Sequence, residues 1–187
     1  MSKQPTIKTE HLILRPYTLP DAPELQRLIG DRDVVITMTG AVPHPYEDGM
    51  AEDWIGGRQE SFERGEMVDF AITHRQEGFF IGGIGLNNID KQSELAEIGY
   101  WIGKPYWGKG YGTEAAHAVL QYGFEVLRLN RVHSKHFSNN PASGRIMQKI
   151  GMKHEGCQRQ QFKKWGTFVD FELYGILRSE YEVSSNP

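Results

Sequence analysis

The chain has 187 residues, of which 39% are hydrophobic, 24% charged and 11% aromatic, enough for one sizeable core and too little for two full domains. This composition excludes a disordered tail protein, a collagen-like repeat and a disulfide-stapled scaffold. The net charge of −3 disfavours a nucleic-acid binder that relies on a basic surface, and it fits a cationic or neutral partner better than a polyanion. The single cysteine, Cys157, cannot form an intramolecular disulfide, and one cysteine is too few for a thiolate zinc site. No stretch at the N-terminus has the apolar length of a signal peptide, and no uncharged apolar run approaches the ~20 residues of a membrane span. The expectation is a cytoplasmic protein without membrane attachment.

In chain order, Leu12-Ile13-Leu14-Arg15 reads as a short strand closed by Pro16. Asp21 and Pro23 open a helix whose Leu25, Leu28 and Ile29 share one face, and Gly30 stops it. Residues 34–45 are loop-like, with Pro43 and Pro45 bracketing His44. Residues 47–64 read as one helix on the spacing of Met50, Trp54, Ile55 and Phe62, weakened in the middle by Gly56-Gly57. Residues 67–74, 79–87 and 94–102 form an antiparallel meander with turns at 75–78 and 88–93. Residues 103–112 break into a Gly/Lys/aromatic loop, and 113–127 resume as a helix with Ala116, Val119, Leu120, Phe124 and Leu127 inward. A strand follows at 130–136. Asn140-Pro141-Ala142-Ser143 caps a further helix that Gly151 ends. Residues 153–162 and 167–177 read as a hairpin around Lys164-Trp165-Gly166, leaving a polar tail. With no internal repeat and no linker, one α/β domain over residues 1–187 is the economical reading.

The loop at 103–112 carries the chemical signal. Its glycines let backbone N–H groups approach a ligand, and the helix behind them adds unpaired donors and a positive dipole end, an arrangement suited to pyrophosphate. Three phosphate motifs compete for it. Gly103 to Lys109 satisfies GxxxxGK, but Gly110 stands where a magnesium-holding Ser or Thr belongs, so a nucleotide-triphosphate loop is rejected. Gly110-Tyr111-Gly112-Thr113-Glu114-Ala115 satisfies the dinucleotide pattern GxGxxA, yet it follows a meander where a first βα unit would open the domain. A glycine-rich turn without a ligand is the plain structural alternative.

The third match covers most of the chain. Tyr106-Trp107-Gly108-Lys109-Gly110-Tyr111-Gly112-Thr113-Glu114-Ala115 resembles the acetyl-coenzyme A pyrophosphate loop of the GNAT superfamily of N-acyltransferases. Three further segments agree in order: Thr9 to Pro16, Ala96 to Ile102, and Asn140-Pro141-Ala142-Ser143 with Lys149-Ile150-Gly151-Met152. In detail the chain looks like the branch of ribosomal-protein N-terminal acetyltransferases, which also holds enzymes acting on small amines and antibiotics. The resemblance implies a GNAT-like α/β fold: a mixed, largely antiparallel sheet flanked by helices, splayed to admit acetyl-CoA, with no metal.

Carried over by position, the resemblance implies that amides of Gly108, Lys109, Gly110, Tyr111, Gly112 and Thr113 hold the pyrophosphate. Asn140 and Ser143 match the family's Asn-x-x-Ser facing the pantetheine arm, although a helix cap with a polar first turn explains the same pair. A free amide near Trp101, Ile102 and Gly103 would bind the acetyl carbonyl, whose oxygen gains charge during attack. The chain departs from the family at Trp107, where Gln or Arg is usual, and at Met147, where many relatives carry an acidic tyrosine; Ser143 is then the candidate acid. Strand alternation sets Glu97, Gly99 and Trp101 on one face and Ile98, Tyr100 and Ile102 on the other. Glu97 is the candidate base, directly or through water, with a surface ion pair as its bland alternative. His44, Tyr46 and Trp54 fall where relatives shape the acceptor pocket.

A protein α-amine of pKa near ~8 is about a tenth neutral at pH 7, whereas a lysine near ~10.4 costs roughly 4.6 kcal/mol to deprotonate. A carboxylate with water suits the former, which leans the expectation toward a protein N-terminus as the amine acceptor. A small amine or antibiotic is the alternative substrate, and a non-catalytic coenzyme sensor and a dehydrogenase are the alternatives of other classes. Direct nucleic-acid binding is not expected, and either a monomer or a homodimer fits.

Overall fold

A computed structural model describes residues 3–39 and 42–185, with side chains through Tyr181. Eight strands form one sheet: β1 (Ile7–Lys8), β2 (Leu12–Arg15), β3 (Val68–His74), β4 (Phe80–Asp90), β5 (Leu95–Ile102), β6 (Arg131–Phe137), β7 (Lys153–Lys164) and β8 (Thr167–Leu177), in the order β1-β2-β3-β4-β5-β6-β8-β7. Every neighbouring pair is antiparallel except β5 with β6. That parallel pair needs a crossover, and the helix between the two strands supplies it.

The helices are α1 (Ala22–Ile29), α2 (Arg32–Val35), α3 (Met50–Gly56), α4 (Arg58–Glu63), α5 (Tyr111–Glu125), α6 (Pro141–Lys149) and α7 (Arg178–Ser185). Helix α5 buries Ala115, Ala116, Val119, Leu120 and Phe124 against Leu12, Leu14, Phe70, Ile72, Leu86 and Ile98 of the sheet, and Met147 of α6 joins this larger core. On the opposite face, Leu25, Leu28 and Ile29 of α1 pack with Ala51 and Ile55 of α3 over Ala71 and Phe80. Each strand alternates its side chains between these two layers, which is why one β-run serves both. The mixed, largely antiparallel sheet flanked by helices is the fold expected from the sequence.

Several local readings change. The helix expected at 47–64 is two helices, because Gly57 ends α3 and precedes α4 without a side chain to support the turn. Segment 34–45 contains the end of α2, a single turn capped by Asp31, whose Oδ1 accepts from the Asp33 amide at 2.8 Å. Strand β4 runs to Asp90, so the expected turn at 88–93 shortens. The tail folds as α7, capped by Glu180, whose carboxylate accepts from the Leu177 amide at 3.0 Å, and held by the Tyr181 ring packed at a tilt against Phe124.

The junction between β2 and α1 rests on a partly buried ion pair. Arg15 donates both terminal nitrogens to Asp21, at 2.7 and 2.6 Å, and the Asp21 carboxylate also accepts from the Thr18 amide at 2.8 Å. Burial pushes the Asp21 carboxyl up, but Arg15 and Thr18 together outweigh it and hold it below the ordinary carboxylate value. A depressed carboxyl stabilises the fold above its unfolded pKa, and that contribution disappears as pH falls through the folded value. Asp21→Asn should therefore cost about 2–3 kcal/mol at pH 7. In urea titrations at several pH values, the gap to wild type should close as the pH falls below about 4.

Candidate active site

Strands β5 and β6 pair at Leu95 with Arg131, Ala96 with Val132 and Glu97 with His133. The Ser134 hydroxyl then donates to the Ile98 carbonyl at 2.8 Å, and beyond this tie the strands separate. A cavity of about 1070 Å³ fills the fork and reaches both layers of the molecule. Along β5, backbone groups point alternately to the two neighbouring strands. The Gly103 amide donates to Ile81 on the β4 side at 2.9 Å, so Gly103 is spent, and alternation turns the Ile102 and Tyr100 amides toward the fork. Trp101 directs its indole to the opposite layer, where it shares the space over Gly83 with the Tyr17 hydroxyl.

On the α5–α6 side, Gly108 and Gly110 have φ of +76° and +86°, a region that L side chains avoid, and a Cβ at either would meet open space. The loop backbone is therefore bare toward the cavity, which Gly108, Gly110, Tyr111, Gly112 and Thr113 line. The first amides of α5 have no intrahelical partner, and its dipole adds positive potential there. Trp107 donates its indole N–H to the Ile102 carbonyl at 2.6 Å, so the residue that departs from the family pattern fastens the loop to the end of β5. Lys109 lies over the Tyr106 ring, which stacks on Phe79. Glu114 accepts from the Thr9 hydroxyl at 2.6 Å and the His11 amide at 2.7 Å, fixing the first turn of α5 against the N-terminal strands.

Asn140 and Ser143 lie at the same end. The Asn140 side chain accepts from the Ser143 amide at 3.4 Å as the cap of α6, and both residues line the cavity. Tyr100 donates to the Ser143 carbonyl at 2.9 Å, with its oxygen 3.0 Å from Ser143 Oγ. Burial raises the Tyr100 phenol far above its ordinary value, so it stays protonated at neutral pH. Met147 is buried beneath them. Arg145 and Lys149 line this end of the cavity and make it cationic. Bare loop amides, a helix N-terminus and two cations form a cradle that fits the phosphates of the coenzyme expected from the resemblance.

The opposite layer forms a second chamber. Tyr46 and Trp54 line it, whereas His44 packs against Trp165 at a ring separation of 5.4 Å. Glu97 faces the chamber from the last paired position of β5, with Lys135 Nζ 2.9 Å from its Oε1. Burial lowers the His133 imidazole, so it is neutral at pH 7 beside this pair, while His136 lies on the other face of β6 against Gly144. Among the described residues no group of three His, Cys, Asp or Glu side chains is placed to hold a metal ion, and no helix is long and apolar enough to cross a membrane.

Tyr17, Arg58, Asp69, Asn87 and Lys135 also line the chamber and were not singled out in the sequence. The available signal was the glycine pattern of β4 and β5, since glycine inside a strand marks a close approach by another group. A Cβ at Gly83 would sit 2.0 Å from the Tyr17 hydroxyl, and one at Gly85 would sit 2.0 Å from Asp69 Oδ1. Gly110→Ala tests the other half of the site. A side chain there strains the left-handed backbone by about 1–2 kcal/mol. A loop that relaxes out of this conformation must regain it to bind, so isothermal titration should show coenzyme A affinity falling about tenfold.

The profile described as "Acetyltransferase (GNAT) domain" matches residues 11–153. The N-acetyltransferase p20 of Bacillus licheniformis, itself uncharacterised, is 33% identical over 177 residues, covering 94% of this chain and 98% of that protein. YdaF of Bacillus subtilis (strain 168), named provisionally as a ribosomal N-acetyltransferase, is 38% identical over 179 residues, covering 92% and 94%. A crystal structure of a GNAT-family acetyltransferase from Bacillus anthracis superposes with a TM-score of 0.82 at 25% identity, covering 93% of this chain and 99% of that one. With its forked sheet, bare glycine loop and a family match over most of its length, the chain belongs to the GNAT family as an acetyl-CoA-dependent acetyltransferase of an amine.

Proposed function

We propose that this chain is a one-domain cytoplasmic enzyme that acetylates the α-amine of a protein N-terminus, of the ribosomal-protein kind. The observation that carries the reading is the continuous cavity through the fork: its α5–α6 end is cationic, and its opposite chamber is walled by Tyr46 and Trp54 with Glu97 at the junction. The name given to YdaF supports the protein acceptor, as does the chemistry of the amine. A partly neutral α-amine needs no strong base, and Glu97 has one oxygen engaged by Lys135 and the other available to the amine or a water.

The coenzyme brings an acetyl thioester. The residues around it divide the remaining work. Loop amides from Gly108 to Thr113 anchor the phosphates, and Asn140 with Ser143 meets the pantetheine arm. The Ile102 and Tyr100 amides face the place where charge develops on the carbonyl oxygen, and fixed donors in a water-poor site stabilise it more than solvent does. Glu97 receives the amine proton. Ser143 passes a proton to the departing thiolate as its Oγ takes a replacement from water in the cavity, and Tyr100, 3.0 Å from that oxygen, holds the serine in place. Cys157 is exposed on β7, away from the cavity lining, and takes no part.

The test incubates the protein with isotopically labelled acetyl-CoA and a dialysed lysate of the source cell, with the removed small molecules returned in a parallel tube. Mass spectrometry should place the label on a protein N-terminus in both tubes. Label confined to a small amine in the parallel tube would replace the proposed acceptor. With the labelled acceptor, Glu97→Gln should lower kcat about 100-fold and leave the coenzyme Kd within twofold.

A further inference from the structure

Asp69 sits on β3 directly opposite Gly85 of β4, which is opposite Gly99 of β5. The two glycines leave a floor without side chains from Asp69 to the fork, two strand spacings or about 10 Å across. The carboxylate lies over this floor, because its Oδ1 occupies the space a Gly85 side chain would fill. Its other oxygen, Oδ2, accepts from Arg58 Nη1 at 3.0 Å. Arg58 is itself fixed, donating from Nε to the Trp54 carbonyl at 3.1 Å and lying 4.4 Å over the Trp54 ring. The side chain of Asp69 is only 11% exposed, and among the described residues no donor reaches Oδ1. Oδ1 keeps contact with the cavity, so its donor is whatever the cavity holds, water or a ligand.

The charge of the chamber agrees. Asp53, Asp69 and Glu97 line it against Arg58 and Lys135, a surplus of one negative charge, whereas the α5–α6 end carries Arg145 and Lys149. A monovalent cation would balance that surplus.

We infer that Asp69 binds the acceptor, its free Oδ1 receiving an N–H of a primary ammonium group at the edge of the fork, and that it thereby selects charged primary amines. The inference rests on the reading that this chamber holds the acceptor, and it holds for a peptide N-terminus and a small polyamine alike. Asp69 docks the amine in its charged form beside Glu97, and Arg58 positions Asp69 without touching the acceptor.

The experiment uses two probes, an alanyl tetrapeptide amide with a free N-terminus and spermidine, with wild type and Asp69→Asn. For whichever probe wild type acetylates, Asp69→Asn should raise KM about 10- to 100-fold while coenzyme A affinity stays near wild type; the melting temperature falls because Arg58 loses its charged partner, and assays are run well below it. A KM within twofold of wild type overturns the inference and leaves the proposed function standing. Turnover of spermidine alone, with the KM effect present, overturns the protein acceptor and supports Asp69. A second measurement needs no variant: in the presence of coenzyme A, tryptophan fluorescence of wild type should report binding of the free tetrapeptide at least tenfold tighter than of its N-acetylated form. Equal binding of the two peptides, or no turnover and no binding of either probe, overturns the assignment.

Discussion

The site depends on the early end of pairing between β5 and β6. Three residue pairs and the Ser134 tie hold the strands together, and past Ile98 the inner edge of β5 has no strand beside it. Backbone groups in a protein interior must find partners. Here the Trp107 indole takes the Ile102 carbonyl, while the Tyr100 and Ile102 amides face the cavity. A parallel ladder carried on to Phe137 would satisfy those groups internally and close the passage between the layers. The fork is thus the place where the fold forgoes hydrogen bonds of its own and leaves them to a ligand.

The two layers use that opening differently. On one side, α5 starts at the end of the loop that follows β5, so its N-terminal amides and the glycine backbone meet at the mouth of the fork. Glu114, held by Thr9 and His11, fixes that first turn from behind. On the other side, α1 to α4 roof a chamber whose floor is made by glycines in β4 and β5, and side chains from β3 and from Tyr17, just after β2, extend over that floor. The cavity is cationic at its α5–α6 end and has a surplus negative charge in the opposite chamber, which fits the proposed placing of the coenzyme phosphates and the amine. Such a gradient orients two substrates of opposite charge before any specific contact forms.

Local chemistry made much of the fold legible in advance. The meander, the glycine loop, the helix behind it and the Asn140 cap are each signalled within a few neighbouring residues, by alternation, by backbone freedom or by a short side chain that can fold back on an amide. The split at Gly57, the single turn of α2 and the C-terminal α7 were harder. A four-residue helix has too few positions to show a period, and α7 is capped by Glu180 and docks Tyr181 near Phe124, a partner 57 positions away in the chain.

The amino-acid sequence by itself determined the family resemblance, the alternation that divides Glu97 and Trp101 from Tyr100 and Ile102, and the loop whose backbone a ligand can approach, because all three are properties of contiguous residues. Only the tertiary structure decided that Trp107 fastens that loop to β5, that Tyr100 meets Ser143 from 43 positions away, and that Lys135 engages Glu97. It alone set Asp69 over Gly85 with one oxygen held by Arg58 and the other facing the cavity. Those contacts join separate elements through the register of the sheet, and register is settled by the packing of both faces together rather than by any one stretch of chain.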